Sequence, residues 1–273
     1  MKTVTIGYNL SVNVNNIDLS YDDVGKGHLS IVFLHGFPFD KTMWQNQLDF
    51  FKTKYRVIAC DIRGFGKSID EESHLSMDLF ANDLILFIDK LGLEKVILCG
   101  LSMGGFIALN AINRFPSRFE ALILCDTQCV SDSDDVKVKR YKTIEDIKEY
   151  GVATFNEGFI KNVFHEDSIT KKSELVEQLR SVVFSNSQHI IINGLMALAE
   201  RSETCSILNT ISIPTLIICG REDVVTPLAE SKFMSKHIKG SIIHVINNAG
   251  HVSNLEKPNI FNKLFRDFLT DFF

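Results

Sequence analysis

The five residues Gly100-Leu101-Ser102-Met103-Gly104 put a serine where nucleophilic chemistry needs one. Before them runs Lys95-Val96-Ile97-Leu98-Cys99, which reads as a buried strand; Met103 to Phe115 after them reads as a helix. A serine on such a sharp strand-to-helix turn projects its hydroxyl from the strand end, beside backbone N–H groups of the following helix. The glycines have a steric reason, because the strained serine backbone leaves no room for neighbouring Cβ atoms. The pattern is short enough to arise by chance, so its weight rests on what else the chain supplies.

A serine hydroxyl needs a general base to take its proton and a carboxylate to orient that base. Of eight histidines, His251 is the candidate base. It lies in Asn248-Ala249-Gly250-His251, after the last strand-like run and before the final helix, where small residues suit a tight loop. His244 falls inside that strand and reads as structural or surface. His28, His74 and His237 fall in polar segments and face solvent; His165 and His189, in the central segment, read as exposed side chains, with a substrate contact as the alternative. Asp223, in Gly220-Arg221-Glu222-Asp223, is the candidate acid, with Pro227 opening a helix just beyond. Asp126 is the alternative, at the end of another strand, where its plain reading is a turn residue bonding local backbone. Glu222 would point elsewhere.

Acyl transfer also needs donors aimed at the developing oxyanion. The N–H of Met103 is one. Phe37, in His35-Gly36-Phe37-Pro38, is the other, since Gly36 permits close approach and Pro38 has no N–H. His35 reads as a residue that holds this loop through hydrogen bonds.

The elements that must position these groups follow from periodicity. Leu10 to Asp23 alternates as an antiparallel hairpin broken near Asn15-Asn16. Continuous apolar runs then predict strands at Ile31–Leu34, Arg56–Cys60, Val96–Cys99, Ala121–Cys125, Thr215–Cys219 and Ile242–Ile246. Continuous apolarity means cover on both faces, hence an α/β fold: a mainly parallel central sheet with helices on either side. Ser76 caps a helix with Phe80, Leu84, Phe87, Ile88 and Leu91 on one face, ending at Gly92; Pro258 opens another that carries Phe261, Phe265 and Phe268. Between Asp126 and Ile211 the strand rhythm stops. Ser131 to Asp135 reads as a polar loop, Lys137-Val138-Lys139-Arg140 as a solvated one, and helices are predicted near Ile144–Phe155, Ser173–Phe184 and His189–Ala199. Residues 1–127 and 209–273 form the predicted core, and 128–208 a helical cap over the strand ends, where open parallel sheets carry their sites. Phe155, Phe159, Phe164 and Leu195 either line a pocket there or fill the cap's core.

The chain has 273 residues and a net charge of −5, against the concentrated basic face that nucleic acid requires. Its six cysteines include no CxxC pair, and Cys60, Cys99, Cys125 and Cys219 each end a strand-like run as small buried groups. Neither a disulfide framework nor a zinc site is expected. With no apolar run of spanning length and no signal-like start, the expectation is a cytoplasmic protein away from membranes.

Together, His35-Gly36-Phe37-Pro38, Asp61-Ile62-Arg63-Gly64-Phe65-Gly66-Lys67-Ser68, Gly100-Leu101-Ser102-Met103-Gly104-Gly105, Gly220-Arg221-Glu222-Asp223 and Ala249-Gly250-His251 resemble the α/β-hydrolase superfamily. The order Ser102, Asp223, His251 is that family's order. Gly100 to Gly105, with Gly250-His251-Val252-Ser253-Asn254-Leu255-Glu256-Lys257-Pro258, resembles its 3-oxoadipate enol-lactonase and small carboxylesterase branch. The resemblance implies hydrolysis of a small-molecule ester or lactone through an acyl-enzyme, with no cofactor or metal. A serine at 102 speaks against haloalkane dehalogenases and epoxide hydrolases, whose relatives carry aspartate there. The same triad also serves carbon–carbon bond hydrolases and perhydrolases, and the same scaffold serves ligand sensors; the central segment carries the contacts that decide.

Overall fold

The structure, a computed structural model, describes residues 6–273. The alternating N-terminal pattern and the continuous runs after it assemble into one eight-stranded sheet. Its strands are β1 (Gly7–Val14), β2 (Ile17–Val24), β3 (Ser30–Leu34), β4 (Arg56–Cys60), β5 (Val96–Leu101), β6 (Phe119–Cys125), β7 (Thr215–Gly220) and β8 (Ile242–Ile246), in the order β1-β2-β4-β3-β5-β6-β7-β8. β1 pairs antiparallel with β2, and β2 with β4; every other pairing is parallel. Asn15 and Asn16 turn the hairpin with φ of 49° and 68°, a conformation asparagine tolerates better than most residues.

Strand alternation splits the core in two. Val32, Leu34, Ile58 and Leu98 face one layer, packed with Phe80, Leu84 and Phe87 of helix α2 (Met77–Lys90) and Ile107 of α3 (Met103–Arg114). Ile31, Phe33, Val57 and Ile97 face the other, with Trp44, with Leu48 of α1 (Gln45–Phe51), and with Phe261 and Phe265 of the C-terminal helix (Pro258–Phe272). Both faces are dry, which is why the strands read as unbroken apolar runs.

Between β6 and β7 lie five helices: α4 (Asp134–Tyr150), α5 (Ala153–Val163), α6 (Glu166–Lys171), α7 (Ser173–Ser185) and α8 (Gln188–Glu200). Then follow α9 (Leu228–His237), the short α10 (Ser253–Glu256) and the C-terminal helix, α11. Two expectations are corrected here. Lys137-Val138-Lys139-Arg140 is not a loop but part of α4, which Ser133 caps with Asp134 and Asp135 in its first turn. The helix expected across Ile144–Phe155 is two, divided at Gly151, whose φ of 85° ends α4. Among the described residues no single helix is long and apolar enough to cross a membrane.

A third correction concerns the cysteines. Cys60, Cys99, Cys125 and Cys219 are free and buried, but Cys129 and Cys205 form a disulfide. They are 76 residues apart and stand at the two ends of the helical segment, so only the fold brings them together.

The elbow leaves no slack for side chains. A Cβ on Gly104 would lie 2.3 Å from the Leu34 carbonyl oxygen, and one on Gly100 2.2 Å from that of Gly104. Both obstacles are buried backbone, of β3 in the first case and of α3 in the second. Gly104→Ala is therefore expected to cost about 3 kcal/mol or more. Thermal unfolding followed by circular dichroism should show a midpoint lowered by roughly 6–12 °C; an unchanged midpoint would contradict this packing.

Candidate active site

Ser102 occupies the single residue between β5 and α3, with φ 54° and ψ −116°. That backbone region is unfavourable for a residue with a Cβ, so the surroundings must hold it. Its N–H donates to Cys125 O (3.0 Å), and its carbonyl accepts from Gly105 N–H (2.8 Å) and the buried Thr127 hydroxyl (2.8 Å). The side chain makes no helix-capping bond and opens into a cavity of about 510 Å3.

His251 opens into the same cavity from the loop after β8. Its Nδ1 lies 2.8 Å from Asp223 Oδ2, and both side chains are buried. Asp223 also accepts from the N–H groups of Val225 (2.8 Å) and Thr226 (3.0 Å) and from the Thr226 hydroxyl (2.8 Å). Burial works to raise the Asp223 pKa, but the charge and hydrogen bond of His251, with the Thr226 donors, outweigh it. The carboxyl ends below its ordinary range. An ionised Asp223 keeps the proton of the neutral imidazole on Nδ1, which leaves the Nε2 lone pair free.

Asp126 does not reach His251. Its Oδ1 accepts from Gly220 N–H (2.7 Å) and its Oδ2 lies 2.5 Å from Ser253 Oγ, tying the ends of β6 and β7 to α10. Full burial, with the nearby Asp223 charge adding to it, raises its pKa well above the carboxylate range. Glu222 points away from the imidazole, accepting from Ala249 N–H (3.1 Å).

Three consecutive N–H groups fix the histidine loop. Ala249 donates to Glu222, Gly250 to Glu256 (2.6 Å) and His251 to Val163 O (2.8 Å). Glu256 also accepts from His165 N–H (2.9 Å), so the α5–α6 junction and the histidine loop share one buried carboxylate. Sequence reasoning gave Glu256 no role, although it lies five residues beyond His251, between Leu255 and Lys257.

The loop after β3 lies against the nucleophile. A Cβ on Gly36 would come 3.1 Å from Ser102 Cβ. Neither the Phe37 nor the Met103 N–H donates to another protein group among the described residues. Buried His35 holds this loop: its Nδ1 lies 2.9 Å from Gly36 O, and its Nε2 accepts from Ile62 N–H (2.9 Å). Burial lowers its pKa, consistent with a neutral ring that donates through Nδ1.

The Phe37 ring contributes to the cavity wall with Phe155, Phe159 and Leu195, whereas Phe164 is buried in the core. Asn186 Nδ2 donates to Pro38 O (2.9 Å), a further tie from α7 to this loop. His28, His74, His189 and His237 are exposed. Among the described residues no group of three or more His, Cys, Asp or Glu side chains is placed to hold a metal ion.

This sheet, with a strained serine at the β5 end and an Asp–His pair beyond β7 and β8, has the plan of a hydrolase. The sequence profile of the alpha/beta hydrolase fold matches residues 30–258, and the chain belongs to that family. It is similar to two 3-oxoadipate enol-lactonases of Acinetobacter baylyi. One is 29% identical over 253 residues (92% of this chain, 93% of the relative), the other 30% over 240 (88% of each). Among solved structures, a thermophilic esterase from Thermogutta terrifontis superposes with a TM-score of 0.91 at 31% identity, covering 96% of this chain and 98% of that one. An enol-lactonase from Burkholderia xenovorans superposes at 0.89 with 25% identity, covering 96% and 100%.

Proposed function

We propose that the protein is a serine hydrolase that cleaves a carboxylic ester or lactone of a small molecule through an acyl-enzyme. The observation that carries this reading is the buried Asp223–His251 contact of 2.8 Å beside a cavity that Ser102 shares. Ser102 Oγ attacks the carbonyl carbon while His251 Nε2 takes its proton. Asp223 stabilises the imidazolium and holds its orientation. The N–H groups of Phe37 and Met103 bind the oxyanion; as neither has a protein acceptor, they are available when charge develops. His251 then returns the proton to the leaving alkoxide, and water, activated by the same base, releases the acid. Residues 128–208 act as the cap that selects the substrate. The enol-lactonase and esterase relatives support this chemistry.

The test is a panel of short acyl esters, enol-lactones and vinylogous diketones, with intact-protein mass spectrometry during turnover. Expected are hydrolysis of an ester or lactone and an acyl adduct on the peptide containing Ser102. Turnover of the diketones alone, or slow stoichiometric consumption of every compound, would refute the proposal.

A further inference from the structure

The loop that carries His251 is held by the helical segment as well as by the core. His251 N–H donates to the carbonyl of Val163, the last residue of α5 (2.8 Å), and Gly250 N–H to Glu256 Oε2 (2.6 Å). Glu256 Oε1 accepts from His165 N–H (2.9 Å). These three bonds close a ring through residues 163–165, residues 250–251 and one carboxylate. The ring is tight. A Cβ on Gly250 would lie 2.8 Å from both His165 N and Val163 O, and 2.9 Å from the Phe164 carbonyl carbon.

The carboxylate side of the ring is anchored to the core. Glu256 ends α10, every residue of which is buried. Ser253 Oγ of that helix lies 2.5 Å from Asp126 Oδ2, and Asn254 Nδ2 donates to Met43 O (3.0 Å). Glu256 thus projects from a fixed support to which the α5–α6 junction and the histidine loop are both tied.

Packing alone does not account for this glutamate. Its side chain is fully buried, and Lys172 Nζ donates to its main-chain carbonyl rather than to the carboxylate. A carboxyl buried on two N–H donors is costly to keep, and leucine would fill the same space without that cost. What leucine cannot do is bind N–H groups of two separate elements at once.

What the ring secures is the base. Asp223 fixes the imidazole at Nδ1, but the reach of Nε2 toward Ser102 depends on where the His251 main chain stands. A 1 Å misplacement can cost about 10^2-fold in rate. The same α5 supplies Phe155 and Phe159 to the cavity wall. One helix therefore faces the cavity with its side chains and holds the His251 main chain with its last carbonyl.

We propose that Glu256 is a positioning residue that locks the α5–α6 junction to the histidine loop, so that His251 is aligned with Ser102 only while the helical segment is seated. This rests on the serine hydrolase reading for its chemistry, and a spectroscopic readout separates the two. Glu256→Gln keeps the length of the side chain, but its NH2 group meets one of the two N–H donors and opens the ring. With a short nitrophenyl ester, kcat per folded protein should fall by roughly 10–100-fold while KM stays within about threefold. The low-field proton resonance of His251 Nδ1–H, sharp in wild type, should broaden or disappear. His165→Pro tests the ring from the other side. The φ of −62° at His165 suits proline, and Phe164 before it is already extended (φ −99°, ψ 149°). The backbone accepts the change, while the N–H is lost and a ring carbon faces Oε1. Both effects should recur, and either variant, once folded, decides. A lowered unfolding midpoint with kcat and resonance unchanged would leave Glu256 structural and overturn the proposal, as would a loss carried by KM alone. Loss of the resonance in variants of a protein that turns over no ester would overturn the hydrolase reading and keep the positioning role.

Discussion

Ser102→Ala should lower ester or lactone turnover by about 10^4-fold or more, because the nucleophile and its base act as one unit. The residual rate would come from binding and from N–H groups that the substitution leaves in place. Stability separates a catalytic role from a structural one. The side chain makes no capping bond, and its backbone is held at φ 54° and ψ −116° by partners that bond main-chain atoms. Alanine keeps those bonds and the strain, so its unfolding midpoint should stay near wild type. Glycine has no Cβ to oppose this conformation, so Ser102→Gly should be as inactive as alanine yet more stable than it. The relief is limited to about 1–3 kcal/mol less the extra chain entropy of glycine. Steady-state rates with a short nitrophenyl ester and thermal unfolding of both variants check this. An active Ser102→Ala would end the nucleophile assignment; a Ser102→Gly less stable than Ser102→Ala would show that the elbow is not strained.

That serine was legible because its neighbours obey local rules. Strands covered on both faces read as continuous apolar runs, and Arg56–Cys60 and Ile242–Ile246 have the expected bounds. Asp223 and His251 were legible because each follows a strand and precedes a helix signal, so chain order alone brings them to one end of the sheet. What was not legible depends on tertiary contact. α4 buries only Ile144 and Ile147 over 17 residues, too few to betray a helix by apolar periodicity. Its start did carry a signal in Ser133, Asp134 and Asp135, which reads equally as a polar loop. Arg140 became a cavity residue because Asp132 and Arg201 meet it there, and Arg201 is buried by the Phe106 ring and Asp132 rather than by any local pattern. The Cys129–Cys205 bond closes a separation of 76 residues, which no spacing rule reaches.

The two candidate acids separate by substitution. Asp223→Asn should reduce kcat by about 10^4-fold while leaving the fold intact. Its oxygens accept from Val225, Thr226 and His251, and an amide oxygen still serves the first two. An amide NH2 turned toward Nδ1 would instead hold the imidazole with its proton on Nε2, where it cannot accept from Ser102. Asp126→Asn should cost less than tenfold. Burial and the Asp223 charge raise the Asp126 carboxyl well above its ordinary range, so asparagine replaces a group that favours its neutral form and also tolerates the φ of 43°. The pH dependence has opposite signs. A carboxyl raised by folding contributes stability below its unfolded pKa and loses it as pH rises through the folded one. Wild type should therefore weaken relative to Asp126→Asn toward alkaline pH. For Asp223, lowered by folding, the contribution is present above the unfolded pKa and lost as pH falls through the folded value. Wild type should accordingly lose its advantage over Asp223→Asn toward acid pH. Rates of the two variants, with denaturant unfolding from about pH 2 to about pH 9, decide the matter. A larger rate loss at Asp126 than at Asp223 would move the acid to the end of β6 and leave the 2.8 Å contact with His251 without a catalytic role.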